Sequence, residues 1–181
     1  DVGGTIHSAG GLDLVAIDKA FREGVRSVCD TGVGEVVTRG VAGSTAVFGL
    51  DCDIVMPCAL GDAVGEIEAN SITAKLIVEG ANGPLTPTAD LIMADKGAII
   101  IPDVYANAGG VTCSYLEQCQ NFAHLTWDED EVNARVIDLM RAAFERFYAF
   151  AQDSKLPNRL AASVLGVKTI ADAHRMRGLH P

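Results

Sequence analysis

Three short loops of the sequence combine small residues with side chains that can bind a polar ligand. Each stands at the end of an apolar run, and they are Pro57-Cys58-Ala59, Glu79-Gly-Ala-Asn82-Gly-Pro84 and the segment from Pro102 to Gly110. Their glycine and alanine residues allow a flat ligand to approach the main chain closely. The amides of Asn82 and Asn107 each offer hydrogen-bond donors and acceptors. A single loop of this kind is often a plain turn, but three at successive strand ends predict a ligand cleft.

The segment after Asn107 adds a second candidate feature. Asn107-Ala-Gly-Gly110 leads into a predicted helix, and the first N–H groups of a helix have no partner within it. Such groups are receptors for an anion or an amide. Ser114 follows four residues later, where its hydroxyl can bond either a substrate carboxylate or a carbonyl one turn earlier. The residues alone leave both alternatives open.

Strands are needed to position these loops. Apolar runs cover residues 53–59, 74–79 and 97–101, and runs of this length predict short strands buried on both faces of a parallel sheet. A helix is predicted between the second and third runs, because Thr86 is a candidate N-cap, Pro87 suits the first helical position and Gly97 follows the end. Strand, helix and strand in this order predict the α/β fold class.

Helices are also predicted before and after these strands in the sequence. Residues 12–26 form one, with apolar side chains at helical spacing, and after Gly110 the pattern is helical only, over 111–121, about 126–152 and 159–177. Thr126 and Glu129 form a capping-box pattern at the start of the longest helix. Glu131 and Arg135 are spaced as an ion pair on its outer face. Its apolar stripe consists of Val132, Val136, Met140, Ala143, Phe147 and Phe150.

Charge and composition exclude several classes of partner. The 181 residues contain 14 Lys and Arg against 24 Asp and Glu, a net charge of −10 that disfavours nucleic acid and anionic membranes as partners. Apolar residues make up 49% of the chain, which is enough for a core. No apolar stretch approaches the roughly 20 residues of a membrane span. We therefore expect a soluble, cytoplasmic protein without a secretion signal.

The cysteines and histidines show no metal-binding spacing. The sequence holds five Cys and four His and has no C-x-x-C pair. We expect no metal site, reduced thiols that mostly fill the core, and ordinary core or surface roles for the histidines. The residues concerned are Cys29, Cys52, Cys58, Cys113, Cys119, His7, His124, His174 and His180.

Two long motifs are more specific than these patterns. They are Glu79-Gly-Ala-Asn-Gly-Pro-Leu-Thr-Pro-Thr-Ala-Asp90 and Ile101-Pro-Asp-Val-Tyr-Ala-Asn-Ala-Gly-Gly-Val111, the second followed closely by Ser114-Tyr-Leu-Glu117. These segments resemble the glutamate/leucine/phenylalanine/valine dehydrogenase family, and within it the glutamate branch. The likeness extends from Asp1-Val-Gly-Gly to Arg177-Gly178 and so covers nearly the whole chain.

The resemblance implies a Rossmann-type domain that binds NAD or NADP and serves the reversible oxidative deamination of L-glutamate to 2-oxoglutarate and ammonia. It implies that Cys58 and Ala59 line the adenosine and ribose side of the cofactor, and that Asp1 occupies the place of a ribose-binding acid. Asn82 would contact the nicotinamide half, and Asn107 would hold the carboxamide and orient the hydride face.

On the substrate side, the resemblance implies that Val111 and Ser114 lie against the amino acid, with Ser114 bonding the distal carboxylate of glutamate. A hydroxyl that faces a carboxylate discriminates against an apolar amino acid, which would leave it unpaired. The stretch Pro57-Cys-Ala-Leu-Gly61 departs from this pattern and is closer to the leucine branch. The substrate-side motif carries more weight, so glutamate is the expected substrate.

Other parts of the family pattern have no counterpart in this sequence. The amino-acid-binding N-terminal domain with its catalytic lysine and acid is missing, and no G-x-G-x-x-G occurs. The stretch Gly32-Val-Gly34-Glu-Val-Val37 is only a partial match that we interpret as a loop. We therefore expect an incomplete Rossmann domain over residues 1–121, lacking its first strand and Gly-rich loop, and a helical extension packed on it over residues 122–181. The chain would be an inactive fragment without catalytic residues of its own.

Two other functions stay open. One is a dehydrogenase of the leucine, phenylalanine or valine type, and the other is a degenerate module that binds nucleotide or assists assembly without catalysis. The family implies a small-molecule substrate and a homo-hexameric parent enzyme.

Overall fold

The computed structural model describes residues 1–178, which form two compact units. The first comprises residues 1–77 and 83–98, and the second comprises residues 78–82 and those from 99 onward. The sequence analysis instead expected a domain boundary between residues 121 and 122. That boundary stays a prediction. The α/β fold class is confirmed, because helices alternate with parallel strands along the middle of the chain.

The first unit begins with two strands that the sequence analysis did not predict, and the loop interpretation of residues 32–37 is wrong from Glu35 onward. Strand β1 (Gly4–His7) is followed by helix α1 (Leu14–Arg22) and by strand β2 (Glu35–Arg39), and the strands pair antiparallel. A 3-10 segment, Val41–Gly49, packs beside them. Gly4 has a φ of +133° there, and a Cβ at this position would lie 2.2 Å from the Thr38 carbonyl oxygen, so the close pairing requires glycine.

Helix α1 is shorter than the predicted range of residues 12–26. It begins after Asp13, whose Oδ1 accepts a hydrogen bond from the Ala16 N–H at 2.9 Å, and it ends before Gly24, which has a φ of +102°. The predicted apolar face exists in the sequence, yet no residue of α1 is buried, and the side chain of Leu14 is 71% exposed.

The predicted βαβ unit is present. It consists of strand β4 (Leu76–Val78), helix α3 (Pro87–Asp95) and strand β5 (Ile99–Ile101). Strand β3 (Ile54–Val55) precedes it in the sequence, followed by helix α2 (Glu66–Ser71), which the sequence analysis did not predict. Strand β3 pairs in parallel with β4, opposing Ile54 to Leu76 and Val55 to Ile77, and the sheet order is β3-β4-β5.

The prediction that these strands are buried on both faces is wrong. Ile77 is fully buried, but Ile54 is 51% and Ile99 is 54% exposed. Ile54 is exposed because its side chain lines an open cleft rather than a helix face.

Helix α3 has the predicted ends. The Thr86 hydroxyl accepts a hydrogen bond from the Ala89 N–H at 3.2 Å, Pro87 is the first helical residue, and Gly97 has a φ of +73° just after the end. Next to it, the Lys96 ammonium donates to the carbonyls of Ala69 and Ile72 at 2.7 and 2.9 Å, which fastens the end of α3 to the end of α2.

In the described part of the second unit, four helices follow β5: the first is a single turn within the segment predicted as a loop, and the other three are the helices predicted beyond Gly110. They are α4 (Asp103–Ala106), α5 (Gly109–Ala123), α6 (Glu129–Ser154) and α7 (Asn158–Arg177). All residues of the predicted stripe on α6 are partly or fully buried, and the predicted ion pair joins Arg135 to Glu131 at 2.7 Å. Phe147, Ala151 and Ala161 form the buried core between α6 and α7.

The capping box at Thr126 is wrong. Asp128 is the N-cap of α6, and its Oδ1 accepts a hydrogen bond from the Glu131 N–H at 2.9 Å. The residue between them, Trp127, donates its N–H to the Gln120 side chain at 2.6 Å. That bond keeps residue 127 outside the helix, so α6 begins two residues later than the Thr126 pattern indicates.

The cysteines do not mostly fill the core, contrary to expectation. All five thiols are free, but only Cys29 is buried, whereas Cys52, Cys58 and Cys113 are exposed. Of the histidines, His180 lies outside the described residues.

Over residues 1–178, no three His, Cys, Asp or Glu side chains are grouped so that they could hold a metal ion. In the same part of the chain, no helix has the length and apolar character that crossing a bilayer requires.

Candidate functional site

The first unit contains a cleft that collects three of the candidate cofactor residues. Its volume is about 1010 Å³, and Asp1, Cys58 and Ala59 all contribute to its wall. Cys58 and Ala59 follow β3 after Met56 and Pro57, and both are exposed. Most other wall residues are apolar, among them Val2, Val47, Phe48, Ile54 and Pro57. An apolar cleft with a few polar groups is the usual form of a small-molecule site.

Asp1 is held in place by the main chain around it. Its Oδ1 accepts a hydrogen bond from the Gly3 N–H at 2.8 Å, and its Oδ2 accepts one from the Val28 N–H at 2.9 Å. Each carboxylate oxygen has two acceptor positions. The carboxylate is therefore fixed in orientation and still able to accept from a ligand hydroxyl.

The second unit brings Asn82 and Asn107 into direct contact. The Asn107 amide nitrogen donates to the Asn82 side-chain oxygen at 2.6 Å and, over a longer distance of 3.4 Å, to the Gly80 carbonyl. Among the described residues, the Asn82 amide nitrogen and the Asn107 side-chain oxygen have no partner. The pair thus presents one donor group and one acceptor to a ligand.

Asn107 also stands at the junction of two helices. Its N–H donates to the Asp103 carbonyl at 3.2 Å, so it ends α4, and α5 begins two residues later at Gly109. Within residues 1–178, the N–H groups of Gly109 and Gly110 have no hydrogen-bond acceptor. The prediction that two glycines begin a helix with unpaired N–H groups is therefore correct.

Ser114 and Val111 lie one turn apart on α5, and both are exposed. The Ser114 hydroxyl has no partner in the described part of the chain. Thr112 makes the back-bond instead, donating its hydroxyl to the Ala108 carbonyl at 2.8 Å. The alternative in which Ser114 merely bonds the preceding turn is therefore not realised.

An ion pair between the buried Glu79 and the half-buried Arg159, in the same unit as the two asparagines, was missed by the sequence analysis. Glu79 is fully buried, and the Arg159 guanidinium donates to both of its carboxylate oxygens, at 2.6 and 2.9 Å. The Asp103 N–H donates to the same carboxylate at 2.9 Å. Two signals could have indicated this pair: a glutamate that ends an apolar strand, and an arginine in the first turn of a helix, where the dipole disfavours a cation.

Tyr105 fixes helix α4 to helix α6 through its hydroxyl and its ring. Its hydroxyl donates to the Met140 carbonyl at 3.0 Å, and its ring lies 5.4 Å from that of Phe144 between centroids. Burial raises the pKa of Tyr105, since the phenolate would lose its hydration there. The tyrosine is therefore a neutral donor that fixes the short helix between Asp103 and Asn107.

The fold places the chain in the α/β class, and open α/β sheets commonly bind ligands beyond the carboxyl ends of their strands. The sequence model of the Glutamate/Leucine/Phenylalanine/Valine dehydrogenase family matches residues 1–178. The chain belongs to this family, as its motifs indicated.

Individual relatives agree with this assignment. The chain is 38% identical to an NAD-specific glutamate dehydrogenase of Staphylococcus aureus (strain COL), over 98% of its own length and 41% of that protein's. It is also 38% identical to NADP-specific glutamate dehydrogenase A1 of Halobacterium salinarum, over its whole length and 42% of that protein's. Thus the chain spans about two fifths of the length of the curated relatives it matches.

Among solved structures, the hetero-hexameric glutamate dehydrogenase of Thermus thermophilus in a Leu-bound form is similar, with a TM-score of 0.83 and 27% identity. The match covers 99% of this chain and 41% of that one.

Proposed function

We propose that this chain forms the coenzyme-binding part of an NAD- or NADP-dependent dehydrogenase that converts L-glutamate reversibly to 2-oxoglutarate and ammonia. The observation that carries the proposal is the Asn82–Asn107 pair. A carboxamide has one oxygen acceptor and one NH₂ donor group, and the pair offers the complementary donor and acceptor. The family and the names of the glutamate dehydrogenases that resemble the chain support the same function.

The coenzyme, when bound, would accept a hydride from the α-carbon of the amino acid. On the adenosine and ribose side, Cys58 and Ala59 would pack against it, and the Asp1 carboxylate would accept from a ribose hydroxyl. The fixed orientation of that carboxylate supports this role. The Asn82 amide nitrogen and the Asn107 oxygen would hold the carboxamide and so determine which ring face points toward the substrate.

The substrate would bind along α5. Ser114 would donate its hydroxyl to the distal carboxylate of glutamate, while Val111 would pack against the side-chain methylenes. The absence of a back-bond from Ser114 within the described residues supports this assignment, since the hydroxyl is available to a ligand. The second candidate is a leucine-, phenylalanine- or valine-type dehydrogenase, which the leucine-like Pro57-Cys-Ala-Leu-Gly61 stretch favours.

We also propose that the active protein is a homo-hexamer, a state supported by family membership; the Thermus thermophilus relative is described as hetero-hexameric. The division into a Rossmann-type domain over residues 1–121 and a helical extension over residues 122–181 is part of the same proposal.

The test is coenzyme reduction by the full-length protein with L-glutamate, L-leucine, L-phenylalanine and L-valine as substrates. We expect turnover with L-glutamate. Changing Asn107→Ala should lower kcat/KM by about tenfold or more, because an amide that holds the carboxamide contributes on the order of 1.4 kcal/mol. The matched control is Asn133→Ala, on the exposed side of α6, which should behave as wild type. The proposal would be contradicted if the coenzyme is not reduced with any of the four amino acids, or if Asn107→Ala and Asn133→Ala have equal kcat/KM.

A further inference from the structure

We propose that the Arg159–Glu79 ion pair is a positioning device that holds the two strand-end loops so that Asn82 and Asn107 stay paired. Its relevance to catalysis rests on the function proposed above. The contacts on which the inference is based lie within the second unit and do not involve a ligand.

Glu79 connects two separate parts of that unit. Its N–H donates to the carbonyl of Ile101, the last residue of β5, at 3.1 Å. Its Oε2 accepts from the N–H of Asp103, the first residue of α4, at 2.9 Å. The residue that follows β4 is thus bonded, by main chain and side chain, to the end of β5 and the start of α4.

From Glu79 the two asparagines are reached by short, constrained segments. Asn82 follows three residues later, after Gly80 and the buried Ala81. Asn107 ends the single-turn helix α4, whose start is fixed by the Glu79 carboxylate and whose middle is fixed by Tyr105. A displacement of Glu79 would therefore move both asparagines, and the 2.6 Å contact between them depends on its position.

Arg159 keeps Glu79 in that position. It lies in the first turn of α7, where the helix dipole opposes a cation. Its neighbour Asn158 donates to the Ile100 carbonyl at 2.8 Å, so the start of α7 is fastened to β5. The guanidinium then binds both oxygens of the carboxylate, a two-point contact that fixes direction as well as distance.

A role in stability alone does not account for this arrangement. Buried ion pairs often stabilise a fold no better than apolar residues of similar size. What the pair adds here is orientation, because Glu79 accepts three hydrogen bonds from two different segments.

The first experiment needs no ligand. Hydrogen–deuterium exchange of the full-length protein is compared for wild type, Glu79→Gln, Arg159→Lys and the control Glu131→Gln, which breaks an exposed ion pair on α6. We expect exchange to rise about tenfold in residues 80–84 and 103–110 of Glu79→Gln, the effect of losing one charge-assisted hydrogen bond. Arg159→Lys, which keeps the charge but not the two-point contact, should lie in between, and Glu131→Gln should match wild type.

The second experiment separates positioning from a general loss of structure. Binding of NAD⁺ and NADP⁺ is compared with that of their analogues that lack nicotinamide, ADP-ribose and 2′-phospho-ADP-ribose. In Glu79→Gln and Arg159→Lys, the Kd of the dinucleotides should rise about tenfold. The Kd of the analogues should not change, because the residues proposed for the adenosine side lie in the first unit.

These outcomes decide the inference independently of the function. Unchanged exchange in both loops, equal weakening of dinucleotides and analogues, or failure of both variants to fold would overturn it. If wild type binds no dinucleotide, the proposed function fails, while faster exchange confined to the two loops would still support the positioning role.

Discussion

Ser114 is the residue to which we assign the proposed preference for glutamate. Its hydroxyl lies on an exposed surface of α5 and, within the described residues, bonds nothing. An exposed hydroxyl forms hydrogen bonds with water, so leaving it without a protein partner costs little free energy. Once a bound ligand excludes that water, the hydroxyl requires a partner on the ligand. A carboxylate supplies that partner and an apolar side chain does not.

We therefore expect Ser114→Ala to lower kcat/KM for L-glutamate by about tenfold to a hundredfold, and to change kcat/KM for L-leucine by less than about threefold. Steady-state kinetics with both amino acids measures this. Ser71→Ala is the control, since the Ser71 hydroxyl bonds the Glu68 carbonyl in α2. Equal losses with both amino acids would remove the case for a carboxylate contact.

The candidate residues could be predicted from the sequence to different degrees. Asn82 and Asn107 stand in the segments that follow two successive apolar runs, and parallel strand ends bring such segments together, so their proximity could be predicted. The short helix α4 between β5 and Asn107 was not predicted. Glu79 and Arg159 are 80 residues apart. No local pattern links them, because their meeting depends on how α7 packs on β5.

At the scale of elements, the ends of helices carry most of the local signal. Thr86 and Asp13 cap their helices with the side-chain bonds that their residue types favour. At α6 two overlapping patterns compete, because Thr126 precedes Glu129 by three residues and Asp128 precedes Glu131 by three. The bond from Trp127 to Gln120 decides between them, and this bond is tertiary, so the sequence patterns could not reveal it.

This competition gives a direct test. Asp128→Ala should lower the free energy of unfolding by about 1 kcal/mol, since it removes the bond to the Glu131 N–H. Thr126→Ala should change it by less than about 0.5 kcal/mol, as expected for a surface position. Denaturant titration of both variants measures the difference. A larger loss for Thr126→Ala would mean that the helix begins at the earlier pattern.

At the scale of the whole molecule, the sequence predicts the order of β3, β4, α3, β5 and the three long helices after them, but it does not predict β1, β2 or the exposure of side chains. Ile54 and the thiols of Cys52, Cys58 and Cys113 belong to types that are usually buried. They are exposed because of where the cleft opens and which helix faces are covered. Apolar runs and periodicity contain no information on either.

The exposed thiols report on the cleft of the first unit. With a thiol-alkylating reagent, Cys58 and Cys113 should react rapidly in the native protein and Cys29 slowly, because only Cys29 is buried. Saturating ADP-ribose should slow the reaction of Cys58, which lines the cleft, and leave that of Cys113 unchanged. Mass spectrometry of digested samples gives the rate at each site. Unprotected Cys58 under saturation would contradict the proposed adenosine side.

The division into two units has a consequence for protein engineering. The polypeptide passes from one unit to the other between residues 77 and 78, 82 and 83, and 98 and 99. No single cut can release either unit intact, and a chimaera that takes one unit from a relative requires three splice junctions. One of them falls immediately after Asn82, so any such graft would rebuild the very loop whose partner lies at Asn107.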